Sequence, residues 1–477
     1  MTSSHVDVLI VGAGISGIDA AYHIQTSCPG TSYAICEARA TLGGTWDLFR
    51  YPGIRSDSDM YTLGFPFRPW TRNKAIADGD SILAYIRETA EAYGIDRHIR
   101  YNHRVERASW ADGQWTVEGT ADGQPLRLTC KFLFLCSGYY DYDEGYTPEF
   151  AGRDRFRGTI VHPQHWPADL DYAGKRVVVI GSGATAVTLV PELAKRAAHV
   201  TMLQRSPTYI MSRPASDKIA DWLRAKLPAE RAYSLTRWKN VLLGTAFYQY
   251  CRAFPDHAKR LLVAGVKKMV PDVDVATHFT PRYNPWDQRL CLVPDADLFA
   301  ALRAGTVSVV TDHIDSFTET GIALRSGQTL DADIIVTATG LKLKRFGGLA
   351  LTVDGRPVEI PKAMVYRGMM LSDVPNLAFA VGYTNASWTL KCDLTSRFVC
   401  RLINHMAKRG YTAVRPRRDP SVREEPLLDF SSGYVQRSIR EFPSQGSVVP
   451  WKLYQNYPLD LLLLGRARLA DGVLQFS

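Results

Sequence analysis

The stretch VDVLIVGAGISGIDAAYHI at residues 6–24 decides the fold. It opens on a short, nearly continuous apolar run, as a strand buried in a parallel sheet does. A helical pattern follows, and a second strand at 32–37 (SYAICE) ends in the acidic residue Glu37. Between strand and helix, three glycines stand in G-x-G-x-x-G spacing: Gly12, Gly14 and Gly17. The stretch therefore predicts a βαβ unit with a glycine-rich turn at the N-terminus of its helix.

This first unit predicts a dinucleotide site without a 2′-phosphate. Glu37 lies about 20 residues beyond the turn, where a carboxylate can accept hydrogen bonds from both ribose hydroxyls. The glycines allow close approach of a pyrophosphate, and the helix N-terminus near Ser16 supplies N–H groups and a positive dipole. Because a carboxylate repels a 2′-phosphate, FAD or NAD fits here and NADP does not. The alternative is a turn that only packs helix against strand and binds no ligand.

A second βαβ unit begins at KRVVVI (175–180) and continues with a helix over 187–197 and a strand over 199–204. Its turn reads GSGATA, with Ala186 at the third position, which the pattern allows. The second strand is followed by Arg205 and Ser206 instead of an acid. An arginine can pair with the 2′-phosphate of NADPH, although it could also be a solvated charge at the strand end. The residues predicted to hold NADPH at this turn are Gly181, Ser182, Gly183, Ala184, Thr185, Ala186, Val187 and Thr188.

Together the two units predict FAD plus NADPH, as in a flavoprotein with a nicotinamide donor. The expected fold class is α/β, with two Rossmann-like dinucleotide-binding domains and a helical insertion in the NADPH domain. We expect the chain to be divided as follows: 1–140, first part of the FAD-binding domain; 141–170, linker; 171–211, first part of the NADPH-binding domain; 212–280, helical insertion; 281–340, second part of the NADPH-binding domain and return linker; 341–477, second part of the FAD-binding domain.

Composition excludes several classes of protein. The 477 residues carry a net charge of +9, but no block of five Lys or Arg typical of a nucleic-acid arm. The eight cysteines form no C-x-x-C, which argues against a zinc site. The sequence shows no signal-peptide pattern and no apolar run of transmembrane length, so we expect a cytoplasmic protein without stable membrane insertion. The basic helices of the insertion could touch a membrane surface, but a solvated face is the preferred interpretation.

The electron acceptor is not a cysteine pair. A disulfide reductase of similar plan needs two cysteines beside the flavin, and residues 40–60 contain none. That segment instead holds GGTWDLFRYPGIRSD at 43–57, with glycines that permit close approach to a ligand and an aromatic face at Trp46.

A third motif, FRGTIVHPQHWP at 156–167, makes a resemblance specific. It fits the pattern F-x-G-x-x-x-H-x-x-x-W-P, and the chain resembles the class B flavoprotein monooxygenases, and within them the Baeyer–Villiger monooxygenases. The stretches GSGATAVTLVP, YNPWDQRLCLVP and VGYTNASWTLK are further similar to ethionamide-activating members. Flavin-containing monooxygenases of the amine- and sulfide-oxidising kind usually lack Trp166 and the Asp57 loop. The motif residues are Phe156, Gly158, His162, Trp166 and Pro167.

The resemblance implies an FAD-dependent, NADPH-consuming monooxygenase. Such an enzyme uses a C4a-peroxyflavin to insert one atom of O2 into ketones, giving esters or lactones, and can oxygenate sulfides or thioamides. The first alternative is a flavin-containing monooxygenase restricted to sulfur or nitrogen. The second is no oxygenase at all: a nucleotide-binding partner protein, or an NADPH oxidase that releases peroxide. The preferred substrate and the oligomeric state are not predicted.

The resemblance also implies roles for residues. Arg289 is expected to be the fixed cation of the reaction, with Asp57 orienting it. Many relatives carry Lys where Gln288 stands, which leaves Arg205 more important for NADPH. His162 is expected to couple movement of the two domains, together with Phe156, Gly158 and Trp166. The residues expected at FAD are Ser16, Glu37, Gly44, Thr45, Trp46, Asp57 and Val105, and those expected at NADP are Arg55, Ser56, the turn at 181–188, Arg205 and Ser206.

Overall fold

The computed structural model describes residues 4–427 and 431–477 and shows an α/β architecture with two separate sheets, a larger mixed one and a smaller parallel one. The larger sheet contains the first glycine turn. Its central strand, Ser4–Val11, lies between two parallel neighbours, so its apolar side chains are buried on both faces. A ninth strand, Leu377–Phe379, pairs with Gln124–Leu135. The other eight follow in the spatial order Arg356–Pro357, Ala350–Val353, His103–Ala111, Gln114–Ala121, Gln124–Leu135, Ser4–Val11, Tyr33–Cys36 and Ile99–Arg100.

The smaller sheet contains the second glycine turn. All of its strand pairs are parallel. The helix after the turn spans Ala184–Leu193, so it begins and ends earlier than the predicted 187–197. The five strands follow in the order Val307–Thr311, His199–Gln204, Arg176–Ile180, Ile334–Thr337 and Thr159–Val161. Both predicted βαβ units are therefore present, each with its glycines at the carboxyl end of a central strand.

Helices fill the interval predicted to be an insertion, after a short strand, Ile210–Arg213, that pairs with Cys291–Pro294. They pack one against the next along the chain. They are Lys218–Lys226, Ala229–Ala253, Pro255–Met269 and Val275–His278. The remaining helices are Ile15–Ser27, Thr45–Leu48, Met60–Leu63, Gly79–Ala92, Asp297–Arg303, Trp388–Arg409, Gly433–Ser438 and Tyr457–Gly465. The exact domain boundaries remain a prediction.

Short strands complete the structure. They form one antiparallel sheet of three strands and several isolated pairs. The three-stranded sheet comprises Ile314–Phe317, Gly321–Leu324 and Thr329–Asp331. The pairs are Val365–Tyr366 with Met370–Leu371, Val414–Pro416 with Leu474–Phe476, and Glu424–Pro426 with Ser444–Gly446. Among the described residues, no helix is both long and apolar enough to cross a bilayer.

The chain crosses between the two sheets twice, and the two crossings pair with each other. The outgoing strand Tyr140–Gly145 runs antiparallel to Leu341–Leu343 on the return. Lys344, just after the return strand, places its Nζ 2.7 Å from Asp143 Oδ2 and 3.2 Å from Asp141 Oδ1. The segment 341–348 therefore begins as part of a two-stranded joint.

The first glycine turn is held in place by the packing of its helix, Ile15–Ser27, against Trp388–Arg409. Polar contacts reinforce the apolar interface. His23 Nε2 lies 2.8 Å from Asp393 Oδ1, and Ser396 Oγ donates to Asp19 Oδ2 at 2.7 Å. Burial and the neighbouring Asp393 charge raise the pKa of Asp19 to about 7. This contact fixes the long C-terminal helix beside the dinucleotide turn.

Candidate functional site

The first glycine turn is shaped by close backbone packing. Gly12 has φ +105°, and a Cβ at this position would lie 2.7 Å from the carbonyl oxygen of Cys136. A Cβ at Gly17 would lie only 1.9 Å from the carbonyl oxygen of Gly12. Gly44 has φ +56° and its Cβ would approach the Gly14 Cα at 3.1 Å. The loop at Gly44 therefore packs closely against the first glycine turn at Gly14, and any side chain larger than hydrogen would fill the space between them.

Glu37 lies directly beside this turn, as the ribose interpretation requires. Its Oε2 accepts from the Ala13 N–H at 2.8 Å and its Oε1 accepts from the Arg39 N–H at 2.9 Å. Burial raises the pKa of Glu37, and these two backbone donors act in the opposite direction. His103 N–H donates to the Glu37 carbonyl at 2.8 Å, which places the strand of half-buried Val105 next to the same site. The arrangement fits a dinucleotide with intact ribose hydroxyls.

Three aromatic or hydroxyl side chains lie at the loop after the first glycine turn: Thr45 and Trp46 of the loop itself, and Tyr142 of the linker strand. Thr45 Oγ1 lies 3.0 Å from the hydroxyl of Tyr142, which also faces Gly44. Burial raises the pKa of Tyr142 to about 12, so the phenol is neutral at ordinary pH. Trp46 is half-buried against the core of the larger sheet. Tyr142 was not singled out in the sequence, because it stands on the linker strand far from any glycine motif.

The second glycine turn is open where a cofactor phosphate would lie. A Cβ at Gly183 would meet no heavy atom within 4 Å, whereas one at Gly181, φ +138°, would lie 2.4 Å from the Ala338 carbonyl oxygen. Helix Ala184–Leu193 has no side-chain cap and no acid in its first turn, which leaves its N–H groups to face an anion. Ala184 is exposed, Thr185 is half-buried, and Ala186, Val187 and Thr188 are buried in the helix.

The exposed pair Arg205 and Ser206 lies beside this turn. Ser182 Oγ donates to the Ser206 carbonyl at 3.1 Å and lies 2.9 Å from Thr208 Oγ1. These bonds hold the turn and the strand end together, so a cofactor seated on the turn has an arginine within its surroundings. Thr208 was missed in the sequence, because a hydroxyl two residues beyond a strand end carries no distinctive pattern.

We expect Arg205→Ala to raise the KM for NADPH about 10- to 100-fold, because it removes a charge-assisted hydrogen bond to the 2′-phosphate. The KM for NADH should change little, since NADH lacks that phosphate. Steady-state kinetics with both cofactors measure the difference, and the exposed Arg325→Ala provides a matched control. An equal effect on NADH and NADPH would show that Arg205 does not recognise the phosphate.

Asp57 and Arg289, which are 232 residues apart in sequence, meet in a two-point ion pair. Arg289 Nε lies 2.8 Å from Asp57 Oδ2, and Nη2 donates to Oδ1 at 3.2 Å. Both side chains are about one-third exposed, at 32% and 28%. Arginine keeps its charge in such a partly dry setting, and the fork geometry fixes its direction. The structure thus places a directed cation at the Asp57 loop.

Aromatic groups connect this ion pair to the first glycine turn. Tyr139 is influenced by the charges of Arg289 and Asp57, and burial raises its pKa well above the ordinary value. Its ring centroid lies 5.0 Å from that of Trp388. The Trp388 indole N–H donates to Ser16 Oγ at 2.7 Å. Tyr139 and Trp388 were not predicted, although Trp388 stands in the VGYTNASWTLK stretch that carried part of the resemblance.

Arg55 and Ser56, expected near NADP, have protein partners in the structure. Arg55 Nη1 lies 2.5 Å from Asp297 Oδ2, at the start of helix Asp297–Arg303. Ser56 is buried, and its Oγ accepts from the Ser58 N–H at 3.0 Å. The Asp57 loop is thereby fastened to the NADPH side. A contact of either residue with NADP stays a prediction.

The FRGTIVHPQHWP motif surrounds the two crossings between the sheets. His162 Nδ1 accepts from the Gln164 N–H at 3.2 Å, so the neutral ring carries its proton on Nε2, which donates to the Gly340 carbonyl at 3.2 Å. Burial lowers the pKa of His162, which favours this neutral form. Phe156 packs its ring 6.5 Å from Phe317, and a Cβ at Gly158 would lie 2.4 Å from the Asp333 carbonyl oxygen. Trp166 lies edge-on to Tyr172 with a centroid distance of 6.4 Å.

His162→Ala should leave FAD bound but release more peroxide per NADPH oxidised, because the joint between the crossings loses a side-chain hydrogen bond. Stability should fall by about 0.5–1.5 kcal/mol, the usual net contribution of one hydrogen bond, because the Gly340 carbonyl still accepts from the Tyr146 N–H. His313→Ala is the control, since His313 is an exposed histidine that stands on neither crossing strand. The yields of peroxide and product per NADPH oxidised measure the coupling, and a thermal melt measures the change in stability. Loss of the flavin itself would contradict a coupling role.

The geometry fits both dinucleotides. Glycine cradles that a Cβ would fill lie at both turns, Glu37 suits the ribose of FAD, and Arg205 suits the 2′-phosphate of NADPH. Tyr139, on which the charges of Asp57 and Arg289 act, contacts Trp388, and Trp388 donates to Ser16 at the first glycine turn.

Comparison with known families gives matches over most of the chain. The model of the family described as flavin-binding monooxygenase-like matches residues 61–406, and that of an NAD(P)-binding Rossmann-like domain matches residues 10–74. The FAD-containing monooxygenase EthA of Mycobacterium tuberculosis (strain ATCC 25618 / H37Rv) is 58% identical over 480 residues, covering 100% of this chain and 98% of that protein.

Solved structures share the fold. An oxidised steroid monooxygenase bound to NADP superposes with a TM-score of 0.77 at 24% identity, covering 99% of both chains. A complex of OTEMO with FAD and NADP has a TM-score of 0.76 at 21% identity, covering 100% of both chains. These matches confirm the predicted α/β class with two dinucleotide-binding domains.

Proposed function

The chain belongs to the flavin-binding monooxygenase-like family, and from this premise we propose that it inserts one oxygen atom of O2 into ketones and also oxygenates the sulfur of sulfides or thioamides. The products would be esters or lactones from ketones, and S-oxides from sulfur compounds. The chain is a class B flavoprotein monooxygenase that uses FAD and NADP. Reduced FAD supplies the electrons that activate O2, with one oxygen atom going to the substrate and the other leaving as water.

The observation that carries the ketone proposal is the two-point pair between Arg289 and Asp57. A ketone carbon is electrophilic, so the attacking oxygen must carry negative charge. A cation held in a fixed direction stabilises that charge without reorganising during the reaction. Asp57 provides the fixed direction. A sulfide sulfur is itself the nucleophile and does not require this cation, which is why the ion pair favours carbonyl chemistry.

The aromatic surroundings support a shielded reaction space. Tyr139 contacts Trp388, whose indole N–H donates to Ser16, and burial keeps Tyr139 neutral within the influence of the Arg289 and Asp57 charges. Exclusion of water strengthens the effect of Arg289 on a developing charge and limits the loss of oxygen as peroxide. His162 and Gly340 would hold the crossings so that this space stays closed while NADPH is bound.

A competition between a ketone and a sulfide tests the proposal. Both substrates are supplied together to the FAD-loaded enzyme with NADPH and O2, and the products are separated by mass. We expect an ester or lactone beside the sulfoxide. Sulfoxide alone would indicate a monooxygenase restricted to heteroatoms, and peroxide equal to the NADPH consumed would indicate an oxidase.

A further inference from the structure

The helices of the 212–280 segment expose large apolar side chains to solvent. Of thirteen such side chains exposed among the described residues, eight lie between Ile219 and Leu261. Trp222 is 62% exposed, Phe254 60% and Leu242 56%. They stand on or between three helices that pack one against the next, and we call the eight together the apolar face: Ile219, Trp222, Leu235, Trp238, Leu242, Leu243, Phe254 and Leu261. Exposed apolar groups in this density are typical of a surface that meets another apolar phase.

The apolar face is interleaved with cations. On helix Lys218–Lys226, Trp222 has Lys218 and Lys226 one turn away on either side. Arg231 precedes Leu235 by one turn on the next helix, and residues four apart share a helix face. Residues 212–280 contain twelve Lys and Arg and six Asp and Glu, so this segment has a net charge of +6, out of +9 for the whole chain. The basic charge of the protein is thus concentrated in the same segment as the exposed apolar groups.

We propose that this face binds the surface of an anionic lipid bilayer. Apolar side chains entering the headgroup region, tryptophans at the interface, and Lys or Arg beside them are the recognised composition of an interfacial helix surface. The charges attract anionic lipid, and the apolar groups enter without any helix spanning the membrane. The sequence favours a solvated face for these helices, whereas the exposure of Trp222, Leu242 and Phe254 is the observation that favours contact with lipid.

A second copy of the chain is a less suitable occupant. Pairing the face with itself would bring together two segments that each carry a net charge of +6, and like charges beside an apolar contact oppose association. An anionic bilayer neutralises the same charges. The charge of the segment therefore selects lipid over self-association.

The test is flotation of the full-length, FAD-loaded protein with vesicles of phosphatidylcholine alone or mixed with phosphatidylglycerol. We expect binding to the mixed vesicles that weakens with salt, since each Lys or Arg near such a surface is worth about fivefold in binding. The double variant Trp222→Ser/Leu242→Ser should bind at least about tenfold more weakly, because two apolar groups no longer leave water. Turnover of a small, water-soluble ketone should be unchanged in this variant.

Tyr411→Ser is the matched control, because Tyr411 is exposed but lies outside the apolar face. It should bind vesicles as the parent does. Absence of parent binding, or equal binding to neutral and mixed vesicles, would overturn the proposal. So would unchanged binding of the double variant. Light scattering compares the oligomeric state of the parent protein and the double variant. If the parent is an oligomer and the double variant is a monomer, a second copy covers the face and the lipid proposal fails.

Discussion

Arg289→Ala is expected to yield a protein that binds FAD and is reduced by NADPH but forms no measurable ester from a ketone. Removing a preorganised group that stabilises developing negative charge costs about 100- to 1,000-fold in rate. Reduction of the flavin is expected to depend on the glycine turns, Glu37 and Arg205, which this substitution leaves in place. Anaerobic reduction and ester formation are measured separately, so that each half of the reaction has its own readout.

Arg282→Ala is the control for this variant, because Arg282 is exposed in the same segment. It should retain both activities. Asp57→Asn provides a second comparison: it weakens the fixed direction of Arg289 while keeping the cation, and should slow ester formation less than Arg289→Ala. Ester formation at the parent rate in Arg289→Ala would remove this residue from the reaction.

Gly17→Ala is expected to give protein without flavin. The added Cβ would lie 1.9 Å from the Gly12 carbonyl oxygen, so the helix must move away from the turn that faces the FAD pyrophosphate. The glycine at this third position exists for close packing of helix on strand. Visible flavin absorbance and a thermal melt are measured on the purified protein.

Gly244→Ala is the matched control for the Gly17 variant, since a Cβ there meets no atom within 4 Å and alanine suits a helix interior. It should retain its flavin. A Gly17→Ala protein with full flavin content would show that the turn tolerates the shift. If the variant does not fold, reconstitution of the refolded chain with added FAD still distinguishes weak binding from absent binding.

The fold could be predicted because its decisive features are local. Each glycine turn, with its strand and helix, lies within about 30 residues, and the periodicity of the flanking segments is visible in the sequence. Glu37 and Arg205 could be assigned to two different cofactors in the prediction because each stands at a fixed place after its strand. The order of the strands in the sheet could not be predicted from the sequence, since strand Leu377–Phe379 pairs with Gln124–Leu135, more than 240 residues away.

The parts of the candidate site that depend on long-range contacts could not be predicted from local sequence features. The pairing of Asp57 with Arg289 came from resemblance alone, because nothing in the spacing of two residues 232 positions apart brings them together. The bond from Trp388 to Ser16 spans 372 positions and was not foreseen. Which apolar side chains of the insertion helices are exposed could also not be predicted. An amphipathic sequence pattern does not show which of them a neighbouring element covers.

The most direct test of the proposed activity supplies the FAD-loaded enzyme with NADPH, a ketone and oxygen gas enriched in the heavy isotope. We expect an ester or lactone that contains one labelled oxygen, placed between the former carbonyl carbon and its neighbour. Unchanged ketone, with labelled peroxide formed in an amount equal to the NADPH consumed, would contradict it.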